Sequence, residues 1–264
     1  MNQLEKECAA LQKLSDYLAA ADDGEWDKGK APDALVLFGG SSLQGAWTLK
    51  ALKDHFKDAK IILVGGYGHT TCFLEEQMKQ ILKKWPDTDI REAVLFDQYI
   101  QEQFGLKADF LECCSTNCGN NVTYLLELLK RHLPQACRLA IIQDPSMQRR
   151  MKAVFAKEAP GMELISVPAI RPEFEVSEGS IRFKEQTLGQ WSLEKYAQLL
   201  CGEIPRLRND ENGYGPNGKG FIAAVKIPDE IEDAWNTVMQ SKIGSFRLAD
   251  ESFSSVRAKE KIPG

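Results

Sequence analysis

Four short apolar runs in this 264-residue chain end in small and polar residues of the kinds that hold ligands. Val36–Phe38 leads into Gly39, Gly40, Ser41 and Ser42, and Ile62–Val64 into Gly65, Gly66, Tyr67, Gly68, His69 and Thr70. Phe110–Leu111 leads into Glu112, Ser115, Thr116 and Asn117, and Ile141–Ile142 into Gln143, Asp144, Pro145 and Ser146. A glycine lets a ligand approach backbone without meeting a Cβ. A helix opening just beyond offers N–H donors and a partial positive charge, suited to phosphate or carboxylate. Ser41, Ser42, Thr70 or Thr71 would cap such a helix or bond the anion. For acid–base work the chain supplies His69, Glu92, Glu112 and Asp144 at these turns. Asp144 can accept from a hydroxyl or amine, and Arg149 or Arg150 can fork onto an anion, one of the two facing solvent.

Standard ligand fingerprints are missing. From Gly66 the chain reads G-Y-G-H-T-T, without the last glycine of a dinucleotide motif. The acid such a motif needs would fall on Asp87 or Asp89, in a loop. G-x-x-x-x-G-K-[ST] and G-x-S-x-G are both absent, which excludes a P-loop and weakens an esterase.

The elements that must position these turns follow from periodicity. Runs at Ala34–Phe38, Ile61–Val64, Phe110–Leu111, Leu139–Ile142 and Leu164–Val167 read as strands, apolar throughout as for strands buried on both faces. Helical spacing covers Gln3–Ala20, Leu43–Phe56, Phe73–Lys84, Glu92–Phe104, Val122–His132 and Met147–Glu158. Alternation of strand and helix predicts a Rossmann-like, doubly wound parallel α/β sheet of about five strands with helices on both faces. Ligands bind beyond the carboxyl ends of such strands. After Pro168 the alternation stops. Residues 1–168 read as the Rossmann-like domain with an N-terminal helix. Residues 169–264 read as a loop-rich, mostly helical extension packing on or near the site, with helices at Leu193–Leu200 and Asp229–Met239. The segment 203–220, dense in Gly, Pro, Arg and acid, is expected to close over the site as a lid.

Composition narrows the partners. The formal net charge is −5 and no Lys/Arg run occurs, so a nucleic-acid partner is not expected. No apolar run reaches the length of a membrane span. Glu5, Lys6 and Glu7 stand where a signal peptide would carry its apolar core. The expectation is a cytoplasmic protein with no membrane partner, a small-molecule ligand, and seven cysteines used as reduced apolar residues.

The strings "VLFGG", "VGGYGHTT", "REA", "CSTNCGNN", "QDPSMQRR" and "GEIPRLRNDENGYGPNGKGFI" together resemble a YdcF-like protein of the ElyC/SanA/YdcF family, over nearly the whole chain. The resemblance implies a Rossmann-like fold and, for this branch, binding of S-adenosylmethionine. It places the family's strand-end glycines at Gly39, Gly40, Gly65 and Gly66, its acids at Glu92 and Glu112, its S-x-N at Ser115 and Asn117, and its late arginine at Arg149. Many members carry a glutamate where this chain has Asn120, and a histidine where it has Ser146. Each change removes a titratable group from the presumed site, which favours binding over chemistry.

These observations lead to the expectation of a nucleotide-type binder, S-adenosylmethionine first, with methyl transfer as the reaction such a ligand would serve. The ligand would contact Gly39, Gly40, Ser41, Gly65, Gly66, Gly68, His69, Thr70, Glu92, Glu112, Ser115, Asn117, Asp144 and Arg149. One alternative is a hydrolase or phosphatase-like enzyme on a small anionic metabolite or cell-envelope precursor, with His69, Asp144 and Arg149 around a phosphate. A second is a regulatory interaction protein.

Overall fold

A computed structural model describes residues 1–22, 30–40, 42–68, 71–86 and 90–244. Ser41, His69, Thr70, Asp87 and Asp89 lie outside the described residues. Five strands, β1 (Ala34–Phe38), β2 (Lys60–Val64), β3 (Phe110–Glu112), β4 (Arg138–Gln143) and β5 (Glu163–Pro168), form one sheet ordered β3-β2-β1-β4-β5. Every neighbouring pair in it is parallel. Parallel neighbours need crossovers, which the helices supply. The helices are α1 (Gln3–Ala19), α2 (Gln44–His55), α3 (Thr71–Ile81), α4 (Glu92–Phe104), α5 (Cys118–His132), α6 (Gln148–Glu158), α7 (Leu193–Leu207) and α8 (Asp229–Met239). This is the doubly wound, Rossmann-like α/β arrangement that the alternation predicts.

The two sheet faces feed separate cores because successive strand residues point to opposite sides. Val36, Phe38, Ile62, Val64 and Ile141 pack with α1, α5, α6, α7 and α8. Leu35, Leu37, Ile61, Leu63 and Ile142 pack with α2, α3 and α4. Chain order runs outward from β1 to β2 and β3, then returns to β4 and β5. The strand order therefore reverses between β1 and β4, the point where open sheets part to form a ligand crevice.

The region after β5 differs from expectation in two places. Phe174–Ser177 (β6) and Ser180–Phe183 (β7), read as loop, form an antiparallel hairpin. Its two central turn residues, Glu178 and Gly179, have φ of 51° and 73°, the tight turn that suits strand twist. Phe174 and Phe183 bury themselves against Tyr196 of α7. Helix α7 continues past Leu200 to Leu207, through Gly202 and Pro205. Proline lacks the N–H that would bond the carbonyl four residues back, and the Trp235 indole of α8 donates to that Cys201 carbonyl instead, at 2.9 Å.

The segment expected as a lid begins in α7 and continues as a self-bonded loop. Residues 203–207 are helical, with Glu203, Ile204 and Leu207 buried. The loop beyond them is tied to itself: Tyr214 N–H donates to Arg206 O, Gly215 N–H to Arg208 O, and Phe221 and Ile222 N–H to Tyr214 O. Among the described residues no helix is long and apolar enough to cross a membrane.

Candidate functional site

Glu92 opens α4 and is 7% exposed. Its backbone N–H donates to Gly66 O at 3.0 Å, and that of Ala93 to Gly65 O at 2.9 Å, so α4 docks its first turn on the β2 turn. The Glu92 side chain then lies over the ends of β1 and β2. A Cβ on Gly39 would overlap Glu92 Oε2, and one on Gly65 would stand 2.9 Å from Glu92 Cβ. The carboxylate accepts a hydrogen bond from Thr71 Oγ1 at 2.8 Å, and Thr71 in turn accepts from Gly68 N–H at 2.7 Å. A carboxylate in the first turn of a helix is favoured by its dipole. Bare backbone at Gly39 and Gly65 thus makes room first for this chain's own acid. Gly66 serves a different neighbour: a Cβ there would meet Cys113 O at 2.6 Å. Gly40 and Gly68 are more open, with nothing nearer than 3.5 Å to such a Cβ.

The β3 turn supplies Glu112, Ser115 and Asn117. Glu112 Oε1 accepts from the N–H groups of Cys114 and Ser115 at 2.6 and 3.0 Å. Its Oε2 is buried and has no hydrogen-bond partner. Burial pushes the Glu112 pKa up, against the pull of the Ser115 and Cys114 hydrogen bonds and the Arg91 charge. Ser115 is buried against Gly66, whose N–H reaches both Ser115 O and Oγ. Asn117 caps α5 through its Oδ1 on Asn120 N–H and passes its Nδ2 to Asn120 Oδ1 at 2.8 Å. That cap starts the helix at Cys118, four residues earlier than the apolar spacing indicates. Asn120 is thereby part of the cap.

At the end of β4, Asp144 is bonded on both oxygens. Oδ1 accepts from Ser146 N–H and Oγ at 2.9 and 2.6 Å, and Oδ2 from the Trp191 indole at 3.1 Å. Burial raises its pKa, partly offset by these same donors. Gln143 Nε2 reaches Gly39 O at 3.4 Å, joining the ends of β1 and β4.

The two arginines of α6 part company. Arg149 donates Nε to Tyr17 O at 2.5 Å and stacks 3.8 Å over the Tyr17 ring, so its guanidinium is engaged with α1 and not with the strand-end turns. Arg150 points inward and forks onto Glu203 of α7 at 2.6 and 3.0 Å. Arg206 adds a third bond to Glu203 at 3.2 Å. Burial opposes the Arg150 charge, but Cys118 and Glu203 beside it more than restore the pKa. The sequence offers no spacing that pairs Arg150 with Glu203 or Trp191 with Asp144, because tertiary packing alone brings them together.

Gly39, Gly65, Gly68 and Glu92 therefore meet at the ends of β1 and β2. Gly66, Glu112, Ser115 and Asn117 form the adjoining β3 wall, and Gly40 and Asp144 flank the reversal point. The mouth is rich in carboxylate oxygens, and the nearby arginines are paired. The fold and this mouth define a Rossmann-like α/β protein with an acid set across its strand-end glycines. No family model matches the chain.

Proposed function

We propose that the chain binds a nucleotide-type ligand, S-adenosylmethionine foremost, at the carboxyl ends of β1 and β2. The observation that carries this reading is the Glu92 carboxylate, buried across Gly39 and Gly65 and oriented by Thr71. A carboxylate there accepts hydrogen bonds, so it suits the amino group or ribose hydroxyls of such a ligand and repels a bare phosphate. The unpartnered Oε2 of Glu112 adds a second polar group of the same kind beside it. The choice of S-adenosylmethionine within that class rests on the sequence resemblance to YdcF-like proteins. Methyl transfer from the sulfonium is the reaction this ligand would serve, and it depends on positioning more than on a strong base.

Thermal unfolding with S-adenosylmethionine, S-adenosylhomocysteine, NAD and AMP tests the reading. A ligand at 100 times its Kd stabilises the fold by about 2.7 kcal/mol. A rise in Tm with the first two alone is expected. No rise with any of the four would return the small-anion hydrolase reading to the front.

A further inference from the structure

Two aromatic side chains on opposite sides of β1 meet above the mouth. Phe73 lies in the first turn of α3, two residues after the Thr71 that holds Glu92, and so belongs to the element leaving β2. Trp191 lies just before α7 and is anchored by its indole N–H on Asp144, at the end of β4. In the sheet, β1 stands between β2 and β4. The two rings nevertheless touch, with centroids 4.9 Å apart and planes inclined by 44°. The pair therefore bridges the sheet beside the Gly39–Gly40 end of β1.

Their exposures differ. Trp191 is 5% exposed, whereas Phe73 is 45% exposed. Tyr67, set between Gly66 and Gly68 in the β2 turn, is 46% exposed. An aromatic ring backed by a buried indole is held in place at little further entropic cost, while its open surface remains available for stacking. Apolar surface at the rim of an acid-lined mouth matches a ligand with a flat ring at one end and donor groups at the other.

We propose that Phe73, supported from behind by Trp191, is the stacking platform for the planar heteroaromatic base of the ligand. This subsite rests on the nucleotide-binding reading above and adds to it which end of the ligand faces α3. The base would lie at the α3 side and the donor-bearing part toward Glu92.

Isothermal titration of S-adenosylmethionine and adenosine into wild type, Phe73→Ala, Phe73→Leu and Phe73→Tyr tests the inference. Because the side chain is half-exposed, all three variants should keep their folded circular dichroism. Loss of a stacked ring weakens binding about tenfold, so Phe73→Ala and Phe73→Leu should both raise Kd by about that factor for both probes, and Phe73→Tyr should stay near wild type. Wild-type affinity retained in Phe73→Leu would show a merely apolar contact and overturn the stacking assignment. Equal affinity in all four proteins, with a changed oligomeric state for Phe73→Ala, would assign the ring to a protein contact instead. Absence of binding to wild type would overturn the nucleotide reading itself.

Discussion

The Glu92 side chain fills the space that a side chain on Gly39 would need: Glu92 Cβ would lie 2.8 Å from a Cβ on Gly39, and Oε2 would overlap it. The glycine and the acid are thus one device. Gly39→Ala should displace the carboxylate, cost about 1–3 kcal/mol as overpacking does, and weaken ligand binding at the same time. Gly161→Ala, with nothing within 4 Å of the added carbon, should change stability by no more than about 0.5 kcal/mol. Urea midpoints of both variants check the contrast.

Replacing only the charge separates the acid's roles. Glu92→Gln keeps the volume over Gly39 and the acceptor for Thr71, so its Tm should stay close to wild type. Hydrogen bonds to a charged group are worth about 1.5–3 kcal/mol, so affinity for a ligand presenting an amino group should fall at least tenfold. Calorimetric titration beside a melting curve reads both. A large drop in Tm with unchanged affinity would assign Glu92 to the fold alone.

Glu112 gives the pH prediction. Burial raises its native pKa above the ordinary 4.5, so folding favours the protonated form. Below the ordinary value the group is protonated in both states and costs nothing. As pH rises through that value toward the raised one, the wild type loses stability that Glu112→Gln retains. The variant should melt with the wild type near pH 4 and above it at pH 7–8. A variant that is less stable at pH 8 would contradict the unpartnered placement of Oε2.

The Arg150–Glu203 pair should behave as a buried ion pair. Glu203→Ala leaves a buried guanidinium without its main partner and should cost about 3–5 kcal/mol. Arg150→Met combined with Glu203→Leu should recover most of that loss, because the desolvation of both charges disappears with them. Denaturant melts of the two proteins decide it.

Local pattern made the sheet legible and left the polar wiring hidden. Buried parallel strands must be apolar on both faces, so Ala34–Phe38 reads directly, as does Glu92–Phe104 from its spacing. The hairpin at Phe174–Phe183 is harder because its outward positions are Glu, Ser and Arg, which also make loops. Helix α7 hides its length behind Pro205, whose cost is offset by Trp235, 30 residues further along the chain. The glycine turns marked the strand ends. That Glu92 would occupy the space above them, that Arg149 would turn to Tyr17, and that Trp191 would seize Asp144 depend on contacts far apart in sequence. Neither spacing nor residue type encodes such contacts.

Helix α1 packs along α8, the last helix described, and also against the β6–β7 hairpin. On the ribosome this imposes a delay. Helix α1 must wait while roughly two hundred residues are added before α8 joins it, on the order of 10–40 s at typical elongation rates. Its other neighbours, α6, the β6–β7 hairpin and α7, are made sooner and cover part of it first. The α1–α8 seam is therefore among the last packing to be completed as the chain is made.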